Sequence, residues 1–220
     1  MERMTGILTG IYCAMNEKFG DLRWWPGETP FEVALGAILT QNTNWKNVEK
    51  AIERIRKENV LDEKRLYQMD RSDISELIRP AGYYNVKAER LKNFLEFLHL
   101  RYNGRMEAMV EEELWELRRQ LLSVKGIGEE TADSILLYGL NKPIFVVDAY
   151  TRRILANHEI IRVEWSYREI QNLFMDNLPQ ESAFYKQYHA LFVETAKRFC
   201  VKKPKCAECP LGEIIDYETI

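Results

Sequence analysis

The stretch "VKGIGEETADSILLYGLNKPIFVVDAY", residues 124–150, decides the fold of this chain. Gly126 and Gly128 interrupt an apolar helical pattern, because glycine adopts backbone conformations that other residues avoid, and a second helix is predicted from Glu129. Two helices joined by so short a turn present consecutive backbone N–H groups beside a helix N-terminus, which suits a phosphate. A tight turn between two helices, without any ligand, is the competing interpretation.

An aspartate follows within the same stretch. The apolar run at residues 144–147 is too short to assign to a helix or a strand, and Asp148 then stands where the helical pattern "AYTRRILAN" begins. This position is typical of an N-cap, since the side chain accepts a hydrogen bond from the first helical turn. A carboxylate is also a common catalytic group, and one side chain can serve both roles.

The composition is that of an ordinary globular protein. The chain has 220 residues, of which 46% are hydrophobic and 30% charged. No apolar run approaches the roughly 20 residues of a membrane span, so we expect a cytoplasmic protein without a membrane partner. The formal net charge of −3 argues mildly against nucleic acid as a partner, although a basic face can coexist with an acidic back.

The sequence predicts an all-helical fold. It has no long segment in which apolar and polar residues alternate, as in a strand, and no succession of strands and helices typical of βαβ units. The clearest helix begins at "TPFE", where Thr29 is the N-cap, Pro30 suits the first position and Glu32 completes a capping box. An apolar face that packs inward follows at helical spacing: Phe31, Ala34, Leu35, Ile38 and Leu39. Further helices are predicted near residues 3–18, 44–58, 61–69, 72–79, 84–101, 111–122, 129–139, 149–157, 166–177 and 182–198.

In combination, these motifs resemble the helix-hairpin-helix DNA glycosylases of the endonuclease III superfamily. The hairpin and Asp148 match the family's hairpin and its catalytic aspartate, and two further segments look like family segments: "GAILTQNT" at 36–43 and "AGYYNVKAERL" at 81–91. The resemblance implies an all-α fold of two helical domains, with a DNA-binding cleft between them.

The resemblance also implies where the two domains lie. Residues 30–141 are predicted to form a continuous middle domain that ends with the helix-hairpin-helix motif. Residues 1–29 plus 142–220 are predicted to form the second domain from both ends of the chain. This second domain carries Asp148 and a cysteine-rich C-terminal loop.

The family's reaction is hydrolysis of the bond between a damaged base and deoxyribose, after the base is flipped out of the duplex. The sugar gains oxocarbenium character as the base leaves, and a nearby carboxylate, here Asp148, stabilises that charge and orients water. Family members that also cut the strand carry a lysine two positions after the second hairpin glycine, which forms a Schiff base. Here that position is Glu130, so we predict a monofunctional glycosylase without lyase activity.

The segments on either side of the helix that begins at "TPFE" look closest to those of the family branch that removes alkylated purines such as 3-methyladenine. Trp24, Trp25 and Pro26 precede the helix that begins at "TPFE", and Trp45 follows it. An indole face attracts a cationic alkylated purine by about 0.5–2 kcal/mol when partly desolvated. These residues are therefore predicted to line the base pocket. The competing interpretation is that the tryptophans are core.

The resemblance assigns further residues to DNA contacts. Gln41 and Tyr83 occupy positions whose side chains enter the gap left by the flipped base, although Gln41 is also placed to cap its helix and Tyr83 to pack. Two lysines are predicted to contact phosphates, and the alternative is that their side chains are only solvated. The predicted phosphate contacts are Lys87 and Lys125, and the predicted DNA-binding residues of the hairpin turn are Gly126, Ile127 and Gly128.

The segment "CVKKPKCAECPL", residues 200–211, resembles the superfamily's C-terminal iron–sulfur loop, which holds a [4Fe–4S] cluster with four cysteines. The fourth cysteine, expected near Ile215, is absent. Three outcomes stay open: a cluster completed by Cys13 or by an oxygen ligand such as Asp216, a zinc site, or a loop without metal. The predicted ligands are Cys200, Cys206 and Cys209.

Three functions therefore compete. The leading hypothesis is a monofunctional alkylpurine DNA glycosylase of base excision repair that acts as a monomer on double-stranded DNA containing damaged bases. A second hypothesis keeps the family but changes the substrate to oxidised or mismatched pyrimidines, as in an endonuclease III-like enzyme. A third is a non-catalytic helix-hairpin-helix protein that only binds DNA.

Overall fold

The computed structural model of the chain describes residues 2–22, 24 and 27–212, and this part is all-α, as predicted, with no strand. None of its helices is long and apolar enough to cross a membrane. The α-helices are α1 (Glu2–Phe19), α2 (Pro30–Thr40), α3 (Trp45–Lys57), α4 (Glu63–Gln68), α5 (Arg71–Leu77), α6 (Tyr84–Tyr102), α7 (Leu114–Ser123), α8 (Glu129–Ser134), α9 (Ala149–Asn157), α10 (Tyr167–Met175) and α11 (Ser182–Arg198).

Shorter helical turns complete the secondary structure. The helix predicted at 129–139 is α-helical only as far as Ser134, and a π-helical turn, Ile135–Gly139, continues it. The apolar run at 144–147 forms neither helix nor strand. In the described part of the chain, 3₁₀ turns lie at Arg79–Ala81, Met106–Met109 and Cys206–Glu208.

The chain divides into two compact units. One is continuous and comprises Trp25–Lys142. The other joins both ends of the chain, Met1–Trp24 and Pro143–Ile220. The continuous unit holds α2 to α8, and the unit of both ends holds α1 and α9 to α11.

The core of the unit formed by both ends is aromatic. Phe145 stacks on Phe174 with ring centroids 3.8 Å apart, and it meets the edges of Tyr185 and Tyr188. The Tyr188 hydroxyl donates to the Leu8 carbonyl at 2.7 Å, which ties α11 to α1. Each of these buried aromatic side chains contributes about 1.5–3 kcal/mol through removal of its apolar surface from water.

The same packing fixes the segment that leads to Asp148. Gln171 of α10 donates from Nε2 to the Phe145 carbonyl at 2.7 Å, and the Val147 amide donates to the Tyr167 hydroxyl at 3.2 Å. Residues 144–147 are buried, so their backbone groups need partners from neighbouring helices. Helix α10 supplies two of these partners, which helps to fix the position of Asp148.

Helix α2 is the centre of the continuous unit. Thr29 caps it as predicted, accepting from the Glu32 amide at 3.1 Å. The burial prediction was too narrow, because every residue from Phe31 to Leu39 is buried, not one face alone. The predicted capping box is also wrong in its second half: the Glu32 carboxylate accepts from the Glu28 amide and pairs with Arg56 at 2.7 Å.

Candidate active site

Asp148 is held at both of its carboxylate oxygens. Oδ1 accepts from the Thr151 amide at 2.7 Å, so the residue is the N-cap of α9. Oδ2 lies 3.5 Å from Nε2 of His189, a residue of α11. The Asp148 side chain is 11% exposed, so it is not completely sealed from solvent.

The surroundings keep the Asp148 carboxylate ionised. Burial is the largest single influence and raises its pKa, since a charge is poorly solvated inside a protein. The charge of His189 and the hydrogen bond from the Thr151 amide together lower the pKa by more than burial raises it. The resulting pKa lies below the ordinary aspartate value, so the group is an anion at neutral pH.

His189 is the residue of this site that the sequence reasoning missed. Its side chain is 4% exposed, and its ring lies against Trp24, with centroids 5.4 Å apart and planes tilted by 59°. A lone histidine in the apolar stretch "YHALFV" of α11 was the available signal. Its distance of 41 positions from Asp148 hid the pairing, because only packing of α11 on α9 brings them together.

The four predicted base-pocket residues have different outcomes. Trp24 is half-buried beside His189, in the same unit as Asp148. Trp25 and Pro26 lie outside the described residues. Trp45 is the first residue of α3 and is half-buried in the continuous unit. The structure thus groups Trp24 with Asp148 through His189, and it places Trp45 in a pocket of the continuous unit.

The pocket at Trp45 has a volume of about 350 Å³. Its wall combines one indole with carboxylates, a composition that favours a flat guest carrying positive charge. Glu32 is buried in this wall and paired with Arg56. The sequence reasoning noted the indole and missed the carboxylates. The lining residues are Gly27, Glu28, Glu32, Trp45, Glu49, Ile52 and Arg56.

The hairpin turn requires glycine at Gly126 for two reasons. Its φ of +96° is one that other residues avoid, and a Cβ there would lie 2.3 Å from Cγ of Arg90. The Ile127 amide donates to the Val124 carbonyl at 3.0 Å and the side chain is buried, so this amide is used within the turn. The DNA contacts predicted for Gly126, Ile127 and Gly128 stay predictions.

Gln41 links the end of α2 to the hairpin. Its Nε2 donates to the Gly126 carbonyl at 3.1 Å and to Oγ1 of Thr131 at 2.9 Å, and its Oε1 accepts from Arg90. Gln41 follows α2 as its C-cap residue, yet its side chain binds the hairpin and not its own helix. Entry of this side chain into DNA, which stays a prediction, requires these bonds to open.

Tyr83 is presented outward by an unusual backbone. It is 70% exposed, and both Gly82 and Tyr83 have positive φ, at 68° and 47°. A bulky residue in this left-handed region is uncommon and is found mainly where function requires it. This exposure contradicts the alternative that Tyr83 packs internally, and its entry into DNA stays a prediction.

The two predicted lysine contacts lie in opposite environments. Lys125 is 84% exposed on the hairpin and pairs with Glu89 at 2.9 Å. Lys87 is 1% exposed, and its Nζ donates to the carbonyls of Leu39 and Ala81. The phosphate contact predicted for Lys87 does not agree with this geometry, because the ammonium group is buried and already bonded.

The cysteine loop gives no complete metal site in the described part of the chain. Burial raises the pKa of Cys209, and the nearby Cys206 and Cys200 raise it further, so the thiol form is favoured. Within residues 2–22, 24 and 27–212, no three histidine, cysteine or acidic side chains are grouped to hold a metal. Asp216 lies outside these residues. The cluster, the zinc site and the loop without metal therefore all stay open as predictions.

Comparison with known proteins gives the family. Residues 35–180, which include the hairpin and Asp148, match the HhH-GPD superfamily of base excision DNA repair proteins. The chain is 48% identical to a Methanocaldococcus jannaschii protein named as a DNA repair glycosylase, over 92% of this chain and 93% of that protein. It is 29% identical to endonuclease III of Thermotoga maritima, over 86% of this chain and 83% of the relative.

A solved structure agrees with the sequence comparison. The 3-methyladenine DNA glycosylase of H. pylori, crystallised with 1,N6-ethenoadenine, superposes with a TM-score of 0.76 at 29% identity. The match covers 89% of this chain and 97% of the H. pylori chain. The family match, the relatives and the shared fold lead to one conclusion: this chain belongs to the HhH-GPD superfamily of base excision DNA repair proteins.

Proposed function

We propose that the protein is a monofunctional DNA glycosylase that removes alkylated purines, such as 3-methyladenine, from double-stranded DNA as a monomer. The observation that carries this proposal is the ionised Asp148, held by Thr151 and His189 beside the indole of Trp24. DNA as the substrate is supported by the chain's membership of a family of base excision DNA repair proteins.

The geometry at Asp148 suits stabilisation of a cationic sugar. The damaged base leaves the stack and enters the protein, because its glycosidic bond is inaccessible inside the duplex. As the base departs, positive charge develops on the deoxyribose ring. A fixed anion stabilises that charge without reorganising during the reaction, and the Asp148 carboxylate also orients the attacking water.

Strand cleavage does not belong to the proposed reaction. A lyase forms a Schiff base between an amine and the sugar carbon, and this step needs a lysine on the hairpin. Glu130 occupies that position near the start of α8, and a carboxylate cannot form a Schiff base. The abasic site is therefore the final product.

Alkylated purines suit the aromatic residues near both candidate sites. A purine alkylated at N3 is positively charged, so it is attracted to an indole face such as that of Trp24 or Trp45. It is also a good leaving group, and no strong general acid is required. The carboxylates in the pocket at Trp45 add favourable charge, and the H. pylori relative is a 3-methyladenine DNA glycosylase.

Product release from defined substrates tests this proposal. The purified protein is incubated with methylated DNA and, in parallel, with duplexes containing oxidised or mismatched pyrimidines, and the released bases are identified by chromatography. We expect 3-methyladenine from the first substrate. Release of pyrimidines alone would assign the second hypothesis, and DNA binding without any released base would assign the third.

A further inference from the structure

We propose that Lys87 is a positioning residue that joins the loops carrying Gln41 and Tyr83, so that both side chains meet DNA at a fixed spacing. The proposal rests on the proposed function insofar as it concerns DNA distortion at a damaged site. It adds a role for a buried lysine that the chemistry at Asp148 does not use.

The contacts of Lys87 are arranged symmetrically around the two loops. Its Nζ donates to the Leu39 carbonyl at 2.8 Å and to the Ala81 carbonyl at 2.7 Å. Leu39 lies in the last turn of α2, two residues before Gln41. Ala81 ends the 3₁₀ turn, two residues before Tyr83. One ammonium group therefore fixes the starting points of both loops.

The positive charge of Lys87 stabilises the two carbonyl groups to which it donates. Carbonyls in the last turn of a helix lack partners within the helix and carry partial negative charge. Two such carbonyls that face one point repel each other, and a cation between them reverses the sign of the interaction. Burial, together with the nearby charge of Arg90, lowers the pKa of Lys87 to about 8. Packing alone would favour an apolar residue.

Helix α6 extends the same arrangement to the hairpin. Arg90, one turn after Lys87, donates to Oε1 of Gln41, and Asn93 donates to the Lys125 carbonyl at 3.0 Å. Within the continuous unit, α6 thus contacts the loop of Gln41, the turn before Tyr83 and the hairpin. Of Lys87, Arg90 and Asn93, Lys87 is the residue whose side chain bonds both to the end of α2 before Gln41 and to the turn before Tyr83.

Lys92 offers a matched control on the same helix. Its Nζ also donates to two backbone carbonyls, those of Tyr67 at 2.6 Å and Met69 at 3.1 Å. These carbonyls lie at the end of α4, which carries neither Gln41 nor Tyr83. Replacement of Lys92 therefore removes the same kind of bridge without releasing a predicted DNA contact.

The test compares Lys87→Met with Lys92→Met in the full chain. Each variant is titrated with a duplex that holds a stable abasic-site analogue opposite 2-aminopurine, whose fluorescence rises when the base is unstacked. We expect Lys87→Met to lose about tenfold in affinity, with a smaller fluorescence rise, and Lys92→Met to stay within about twofold of the wild type. Thermal unfolding of both variants measures how much of any change reflects stability.

Two further variants keep the test decisive. Lys87→Gln retains one donor for one carbonyl, so it should show a smaller loss in the same direction, even if Lys87→Met does not fold. In a Tyr83→Ala background, the effect of Lys87→Met should become smaller, because the part of it that acts through the loop of Tyr83 is already lost. Binding and fluorescence like those of Lys92→Met, for either Lys87 variant, overturn the proposal.

This experiment separates the proposal from the proposed function. The abasic-site analogue contains no base to release, so the fluorescence rise does not depend on which damaged base the protein recognises. Failure to release 3-methyladenine would overturn the proposed substrate while leaving this measurement intact. An unaltered fluorescence rise in the Lys87 variants would overturn the role of Lys87 alone.

Discussion

Oδ2 of Asp148, the N-cap of α9, lies 3.5 Å from Nε2 of His189 in the middle of α11. This pairing opposes the cost of burying the carboxylate and keeps the pKa of Asp148 below its ordinary value. Since a lowered carboxylate pKa stabilises the fold above the ordinary aspartate pKa, that stabilisation is lost as the pH falls through the folded value.

Replacement of His189 should therefore change the pH dependence of base release. In His189→Gln, burial still raises the pKa of Asp148 and the charge that lowered it is gone, so the carboxylate becomes protonated at higher pH. We expect the rate of the variant to fall on acidification at a higher pH than the rate of the wild type. Single-turnover release measures both profiles, and identical profiles would show that His189 does not act on Asp148.

Introduction of an amine next to the hairpin should allow the protein to form a Schiff base with DNA. In Glu130→Lys, a primary amine stands two residues after Gly128, where strand-cutting family members carry theirs. We expect borohydride to trap a covalent protein–DNA adduct with Glu130→Lys and none with the wild type. An adduct with the wild-type protein would contradict the assignment of a monofunctional glycosylase.

The tryptophans near the two candidate sites should matter more for release than for folding. Trp24→Ala removes the ring beside His189, and Trp45→Ala removes the indole from the pocket. Loss of one cation–π contact of about 1–2 kcal/mol should lower kcat/KM for alkylpurine release about tenfold in each variant. The exposed Trp115 provides the control Trp115→Ala, which should be neutral. A collapse in unfolding free energy would instead show that Trp24 and Trp45 are core.

The hairpin glycine should tolerate no side chain. Gly126→Ala combines an unfavourable φ with a close contact to Arg90, so we expect it to lose about 2–4 kcal/mol of unfolding free energy. Gly104 also has a positive φ but open space around its Cβ position, so Gly104→Ala should lose only about 1 kcal/mol. Urea unfolding of both variants checks the difference, and equal losses would exclude a role for the Arg90 contact.

Local signals in the sequence were sufficient for the helix starts near the site. Thr29 and Asp148 cap α2 and α9 as predicted, because an N-cap bond spans only three residues and depends on the local chain. The hairpin could also be predicted from the sequence, since Gly126 and Gly128 interrupt an apolar helical pattern. The all-helical architecture followed from the same short-range patterns.

Contacts between residues far apart in the sequence could not be predicted from local sequence patterns. Glu32 pairs with Arg56, and His189 with Asp148, only because the helices that carry them pack together. Lys87 looked like a surface lysine, and its two carbonyl partners lie at the ends of separate helical segments. No pattern within a few residues encodes such contacts, so the predicted phosphate contact at Lys87 disagreed with the structure.

Base release by Asp148→Asn tests the central claim most directly. The substitution keeps the shape of the side chain and an oxygen for the Thr151 amide while removing the charge. We expect single-turnover release of 3-methyladenine from methylated DNA to fall at least about 100-fold, with DNA affinity within about twofold of the wild type. Asp176→Asn, at an exposed aspartate of the same unit, should be unaffected. Release by Asp148→Asn at the wild-type rate would contradict the account.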